Sequence, residues 1–305
     1  MINIHTEICP VCGGKEFAKK FSCKDYSVSK EAFDLYTCND CGFAFTQDFP
    51  SETEIGRYYE SSDYISHSDT EQGLINKLYH WVRKTALKTK ADIVFKYSAP
   101  ESTTLLDIGV GTGYFMNEMR SRKWIVTGIE ASENARAYAK QKFNIDTQCA
   151  EYLYQIPRAN KDVITMWHVL EHMENLNMVM DRLHEILKDS GTAVIALPNK
   201  ASFDAEAYKQ YWAAYDVPRH LWHFSPEDFE LLANKHNFDV VAVEPMYFDS
   251  FYISMLSQKY KGTFCGSIIG LIKGGIYYLK NLCNHKKSSS LIYILKKRTK
   301  PTNNI

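Results

Sequence analysis

Hydrophobic and polar positions change rhythm along the chain. Residues 1–50 hold short aromatic, strand-like runs such as Phe43-Ala44-Phe45 between cysteine-bearing turns, the pattern of a small unit that needs a staple. Residues 51–67 form a polar connector rich in tyrosine (Tyr58, Tyr59, Tyr64). Over 70–97, Leu74, Leu78, Trp81, Val82 and Leu87 fall near helical spacing and predict one long helix. Strands and helices then take turns. Strands are predicted at 103–108, 125–130, 163–168, 192–197, 239–243 and 291–295, with a short one at 146–149. Helical stretches lie at 114–122, 132–143, 175–188 and 225–237, the last opened by a capping box of Ser225 and Asp228. This alternation predicts an α/β fold: a doubly wound, mostly parallel seven-stranded sheet covered on both faces, beside a small N-terminal module. The expected organisation is a module over 1–50, a connector and helix over 51–100, a main domain over 101–249 and 291–305, and an insertion over 250–290.

Composition sharpens this picture. With 45% hydrophobic and 24% charged residues among 305, the chain can bury a sizeable core, which excludes wholesale disorder. Its 36 basic and 36 acidic residues cancel, but they are not mixed. From residue 251 onward there are ten Lys and Arg and no acid, so the first 250 residues carry about −10 and the tail +10. Such asymmetry points to a partner surface. The insertion alternates apolar runs at 267–272 and 276–279 with Lys273, Lys280, Lys286 and Lys287. Two readings stand: an amphipathic segment lying on an anionic membrane, or a helical pair over a pocket with solvated lysines. The longest uncharged apolar stretch of the tail, 262–272, has 11 residues, where a spanning helix needs roughly 20. The first ten residues lack a basic segment followed by an apolar core, so no signal peptide is expected and the eight cysteines are expected reduced, in the cytoplasm.

Cys9-Pro-Val-Cys12-Gly and Cys38-Asn-Asp-Cys41-Gly are two Cys-x-x-Cys-Gly turns. Each can present two thiolates to one ion, and four thiolates suit a tetrahedral structural Zn²⁺ with no open position. Cys23, Cys149, Cys265 and Cys283 have no comparable spacing.

The run Leu105-Leu106-Asp107-Ile108-Gly109-Val110-Gly111-Thr112-Gly113-Tyr114 carries a strand into a Gly-rich turn at a helix start. Glu130 ends the next strand, 19 residues past Gly111, where its carboxylate suits a ribose diol. A pyrophosphate-binding fingerprint wants glycine where Tyr114 stands, and Asp107 would repel a pyrophosphate but attract an ammonium. Ribose at one end and a cationic amino acid at the other describes S-adenosylmethionine.

On these residues, together with Asp162-Val-Ile-Thr-Met-Trp-His-Val-Leu-Glu-His172, the chain resembles the class I S-adenosylmethionine-dependent methyltransferases of the Val-Leu-Glu-His type. The resemblance implies a Rossmann-like methyltransferase fold. It puts Asp107 at the methionine amino end, Gly109, Gly111, Gly113 and Tyr114 under the cofactor, and Glu130 on the ribose. Adenine contact falls to the main chain near Ala150, because Cys149-Ala150-Glu151 lacks the family's acidic or amide residue.

Transfer to a hydroxyl needs a base, and histidine is the usual one. His168 and His220 are the candidates, at the end of the fourth predicted strand and in an aromatic loop after the fifth. Some relatives, among them ubiquinone-pathway O-methyltransferases, carry Glu-x-x-Glu-His after the fourth strand and a later His, and hold a divalent ion there. Here the series reads His168-x-x-Glu171-His172 with His220 or His223 beyond. A second divalent metal on these residues and a plain helix cap with a lid anchor both remain open.

The expected activity is S-adenosylmethionine-dependent methylation, at oxygen, of a small-molecule or lipid-like acceptor. An RNA methyltransferase, a sugar methyltransferase and a non-catalytic cofactor-binding protein are the alternatives. Nucleic acid is disfavoured because the N-terminal module carries five lysines against seven acidic residues.

Overall fold

The computed structural model describes residues 3–60 and 74–298. Tyr64 and the predicted helix start at Thr70 lie outside the described residues. The N-terminal segment folds into short antiparallel strands: β1 (Asn3–Ile4) pairs with β5 (Phe49–Pro50), while β2 (Phe17–Lys24), β3 (Ala32–Cys38) and β4 (Ala44–Thr46) form a meander. Helix α1 (Leu74–Tyr97) leads into the main sheet.

That sheet is built from β6 (Thr104–Ile108), β7 (Ile125–Ile129), β8 (Lys161–Trp167), β9 (Leu187–Pro198), β11 (Phe238–Pro245) and β12 (Ser290–Lys297), in the order β11-β12-β9-β8-β6-β7. β7, β6, β8 and β9 are parallel neighbours, and β12 runs antiparallel to both β9 and β11. Strands buried on both faces read as continuous apolar runs, as Val194 to Leu197 and Leu291 to Leu295 do, all nearly inaccessible. The seven-stranded expectation is corrected to six. The segment over 146–149 meets β7 in a single bridge, Ile129 to Gln148, because the polar stretch after left-handed Asn144 gives a ladder no apolar face to bury.

Helices α2 (Tyr114–Ser121), α3 (Glu133–Phe143) and α4 (Leu176–Ile186) connect the parallel strands. α5 (Phe203–Tyr208) begins a long loop that includes the short strand β10 (Trp222–His223), and α6 (Pro226–Lys235) follows behind its expected capping box. The 250–290 insertion is a helical hairpin, α7 (Asp249–Tyr260) and α8 (Gly266–Cys283).

β10 does not join the main sheet. It pairs with β4, Trp222 opposite Phe45 and His223 opposite Ala44, so the loop after β9 is an outer strand of the N-terminal meander. One hydrophobic core accordingly runs from Cys9, Phe43 and Phe45 through Trp222 and Phe224 to Leu106, Ile164 and Ile195 of the central strands.

Candidate functional site

Three glycines shape the turn after β6. Gly109, Gly111 and Gly113 all have positive φ, at 76°, 55° and 84°. A Cβ on Gly109 would fall well inside contact with Val169, and one on Gly113 would meet Ala139 Cβ at 2.9 Å, whereas Gly111 faces open space. That open face borders Glu130, whose Oε2 accepts from Gly111 N (2.7 Å) and whose Oε1 accepts from Ser132 N (2.9 Å). Tyr114 opens α2 edge-on to Phe143, with Arg83 4.0 Å over its ring. Ala150, itself exposed, starts a single turn that buries Leu153, beyond the Gln148 bridge.

Asp107 is buried at the end of β6, and its Oδ1 accepts from Thr165 Oγ1 at 2.6 Å. Burial raises its carboxyl to about 7. The Thr165 bond and the Lys90 ammonium pull the other way, and Glu130 adds to the rise. A buried acid at the strand end beside a turn whose glycine N–H groups are already bonded is suited to a cation, so the residues fit the amino end of S-adenosylmethionine. Lys90 was not singled out in the sequence; its Nζ stands 4.6 Å from the Trp167 ring centroid, and burial depresses it. Nothing in Lys-Thr-Lys-Ala marks it apart from solvated lysines nearby.

The second half of the site lies past β8. His168 has a left-handed backbone (φ 57°), with Nδ1 3.3 Å from Glu171 and Nε2 3.4 Å from Asp249 at the start of α7. Burial alone would depress this imidazole, but the two carboxylates outweigh it and raise it to about 9. Glu171 is fully buried; desolvation opposes its ionisation, yet His168, His172 and His220 keep it below its ordinary value. Its Oε2 has no hydrogen-bond partner among the described residues.

His172 and His220 meet edge to face, ring centres 4.5 Å apart. The His172 Nδ1 donates to the Arg219 carbonyl (2.9 Å), with the Tyr59 hydroxyl 3.1 Å away, and the His220 Nδ1 donates to the Ala214 carbonyl (2.8 Å). Burial, then the neighbouring His220, lower His172 to about 4. Ligand atoms of Glu171, His172 and His220 all lie within 4.8 Å of one another. His223 is not among them: its Nε2 is 3.0 Å from Thr46 Oγ1, and Thr46 donates to the His220 carbonyl (2.8 Å). Since the hydroxyl proton goes to that carbonyl, His223 is the donor to Thr46 and is neutral, as its burial requires.

The four N-terminal cysteines also converge. Cys9 Sγ lies 3.7 Å from Cys41 Sγ and Cys12 Sγ 3.5 Å from Cys38 Sγ, with all four within 4.8 Å. With Zn–S near 2.3 Å, a tetrahedron of thiolates has edges of about 3.8 Å, so the donor set fits such an ion.

Residues 78–243 match the family described as Methyltransferase domain, more than half of the chain, and the chain belongs to that family. The fold is the Rossmann-like methyltransferase fold with a mixed central sheet of six strands. A solved S-adenosylmethionine-dependent methyltransferase from Archaeoglobus fulgidus superposes with a TM-score of 0.50 at 19% identity, over 70% of this chain and 94% of that one. Among curated proteins, the ubiquinone biosynthesis O-methyltransferase of Rickettsia canadensis is 31% identical over 117 residues, covering 35% of this chain and 48% of the relative. That of Rickettsia typhi is 26% identical over 156 residues, 49% and 62% respectively. The chain spans about half the length of the curated relatives it matches.

Proposed function

We propose that this protein transfers a methyl group from S-adenosylmethionine to a hydroxyl oxygen of a small, lipid-like acceptor. The observation that carries the reading is a buried Asp107 and a diol-suited Glu130 flanking the open face of Gly111, with a Glu–His–His cluster next along the sheet edge. The names of the Rickettsia relatives support an oxygen acceptor and a quinone-like, lipid-soluble class of substrate.

In this reading Asp107 holds the cofactor's ammonium, Glu130 its ribose hydroxyls, and the main chain at Ala150 its adenine. The acceptor oxygen attacks the methyl carbon as the carbon–sulfur bond breaks, and the hydroxyl proton leaves to a base. Alignment of the two reactants supplies much of the acceleration, about 7 to 11 kcal/mol in well-oriented cases. Held cationic by Asp249 and Glu171, His168 suits donation to the acceptor rather than proton removal, which falls to His220. A second reading is favoured by the partnerless Glu171 Oε2 and by two imidazoles whose Nδ1 protons are fixed on carbonyls, the arrangement that metal-ligating histidines adopt. Glu171, His172 and His220 would then hold a divalent cation, which lowers the pKa of an oxygen bound to it. At the N-terminus, Cys9, Cys12, Cys38 and Cys41 suit a structural zinc ion.

The test is S-adenosylhomocysteine formation with prenylated catechols, sugars and RNA as acceptors, alongside calorimetric binding of S-adenosylmethionine. Turnover of the catechols and a loss of cofactor affinity of at least about tenfold in Glu130→Ala are expected from two lost charge-assisted bonds. Turnover with RNA alone would overturn the acceptor reading. Metal analysis should find one zinc per chain, and a second ion lost in His172→Ala would favour the metal reading over His220 as base.

A further inference from the structure

Helix α8 is turned inside out. Its buried positions are Gly270, Gly274, Tyr277 and Asn281, whereas Ile268, Leu271, Ile272, Ile276, Leu279 and Leu282 face outward, each between 47% and 63% exposed. These six fall at i, i+3, i+4 spacing and form one stripe on the side away from α7. A surface helix in water points such a stripe inward; here the glycines meet α7 at small or polar positions, Gly266 at Gln258, Gly270 at Ser254 and Gly274 at Ser250.

Packing fixes that orientation. A Cβ at Gly274 would sit 2.6 Å from Phe251 Cα, and one at Gly270 would overlap Met255 Cα, so the two backbones touch only where α8 shows glycine. Rolling the helix to bury its isoleucines would drive a side chain into α7. At the tip of the hairpin Phe264 is 91% exposed. Among the described residues no helix is long and apolar enough to cross a membrane.

The charge around this stripe is of one sign. Lys273 and Lys280 flank it, lying over the rings of Tyr208 and Phe203, and Lys259, Lys261, Lys286 and Lys287 sit at the two ends of the hairpin. Between Ser250 and Arg298 there is no acidic residue; the acids that neighbouring elements bring to the hairpin and the turn after it are already partnered, Asp204 with Trp212 and Ser289, Glu206 with Lys287, Asp216 with Arg219, Glu244 with Lys96 and Asp249 with His168. A second copy of the chain would bring the same cationic rim against itself, whereas an anionic bilayer surface supplies both an apolar interior and the opposite charge.

We propose that the α7–α8 hairpin docks the protein on anionic lipid, with α8 lying in the plane of the interface and Phe264 inserted. This deepens the lipid-like-acceptor reading and rests on it, because α7 begins at Asp249, against His168, so the docked hairpin holds the bilayer against an element of the candidate site.

Flotation with vesicles tests the contact without using activity. The full-length protein should bind vesicles of 30% phosphatidylglycerol in phosphatidylcholine at least about tenfold more tightly than phosphatidylcholine alone, and lose that preference in high salt, since each nearby lysine is worth about fivefold. The double variant Ile272→Glu and Leu279→Glu, both on the exposed stripe, should weaken binding by about tenfold or more while binding S-adenosylmethionine normally, which reports that it is folded. A wild type that stays off anionic vesicles, or a double variant that floats as well as wild type, would overturn the proposal. So would a wild-type dimer that dissociates in the double variant without any lipid binding. Flotation by a wild type unable to bind S-adenosylmethionine would uphold the bilayer contact and count instead against the cofactor reading.

Discussion

Asp107→Asn should make the cofactor-free protein more stable and useless. Burial raises the Asp107 carboxyl from its ordinary 3.8 to about 7, so the native state binds this proton more tightly than the unfolded chain. Stability therefore falls as pH rises from about 4 to about 7, the interval in which the unfolded chain has released the proton and the native state has not. At about 1.4 kcal/mol per unit, the burden of this one charge approaches about 4 kcal/mol above pH 7, and about 3 kcal/mol of it develops between pH 5 and pH 8. Asparagine keeps an oxygen for the Thr165 hydroxyl and removes the charge. Equilibrium urea unfolding of both proteins without ligand, at pH 5 and pH 8, gives the comparison directly. The variant's advantage should grow by about 3 kcal/mol across that range, tempered by the loss of Lys90's partner. Saturating S-adenosylmethionine should then stabilise only the wild type, because its ammonium offsets the same charge. An advantage that does not change with pH would refute the buried-charge account, and an Asn variant with wild-type cofactor affinity would refute the placement of the ammonium.

Three further outcomes follow from single contacts. Thr46→Val removes a hydroxyl that serves both the His220 carbonyl and His223 Nε2, leaving two buried groups unpaired at about 1 to 3 kcal/mol each; thermal unfolding should show a clear loss that Thr46→Ser largely avoids, and equal melting of the two would dismiss the bond. Gly109→Ala forces a left-handed residue and a clash with Val169, together about 2 to 5 kcal/mol; adding Val169→Ala should return the steric part but not the rest, which a double-mutant cycle reads. His168, raised to about 9, contributes stability that is complete below pH 6.5 and lost as pH climbs through 9; His168→Gln should flatten the wild-type decline between pH 7 and pH 10 in the same unfolding assay.

What could be read from the chain was what depends on short spacings. Asp107, the three glycines and Glu130 act within one strand–turn–helix–strand unit, and the paired cysteines announce themselves by repetition. The failures have equally local causes. The helix expected to run to Lys188 stops at Ile186 and the strand expected from Thr192 begins at Leu187, with 188–191 an excursion within β9, whose ladder to β8 pairs Lys161 with Leu187 and resumes at Val163 with Thr192. Strand 146–149 looked like others in length but offers no apolar alternation. Asp249, Lys90, Tyr59 and Thr46 reach the site from elements far apart in sequence, and a tertiary approach leaves no spacing to find. Tyr59 stood in the tyrosine-rich connector and Asp249 is the last acid before a wholly basic tail, but Lys90 and Thr46 carried no signal.

The N-terminal module is wired to the chemistry by main-chain bonds. Thr46 N donates to the Leu221 carbonyl (2.9 Å), and Leu221 N donates to the Glu171 carbonyl (2.8 Å), so two bonds join the cysteine-bearing meander to the buried carboxylate of the candidate site. Arg219 adds a charged tie: it is buried, bridges Asp216 to Asp25 of the module, and donates to the Tyr58 carbonyl. Breaking one partner of such a buried pair costs about 3 to 5 kcal/mol, more than a surface loop can absorb without moving. From the other side, Ala213 N donates to Ser257 Oγ of α7, and Tyr260 stacks on Tyr26 at 4.4 Å. The loop that carries His220 is thus clamped between the module and the hairpin. A metal that folds the module and a bilayer that seats the hairpin would both act on the same histidine, through contacts already in place.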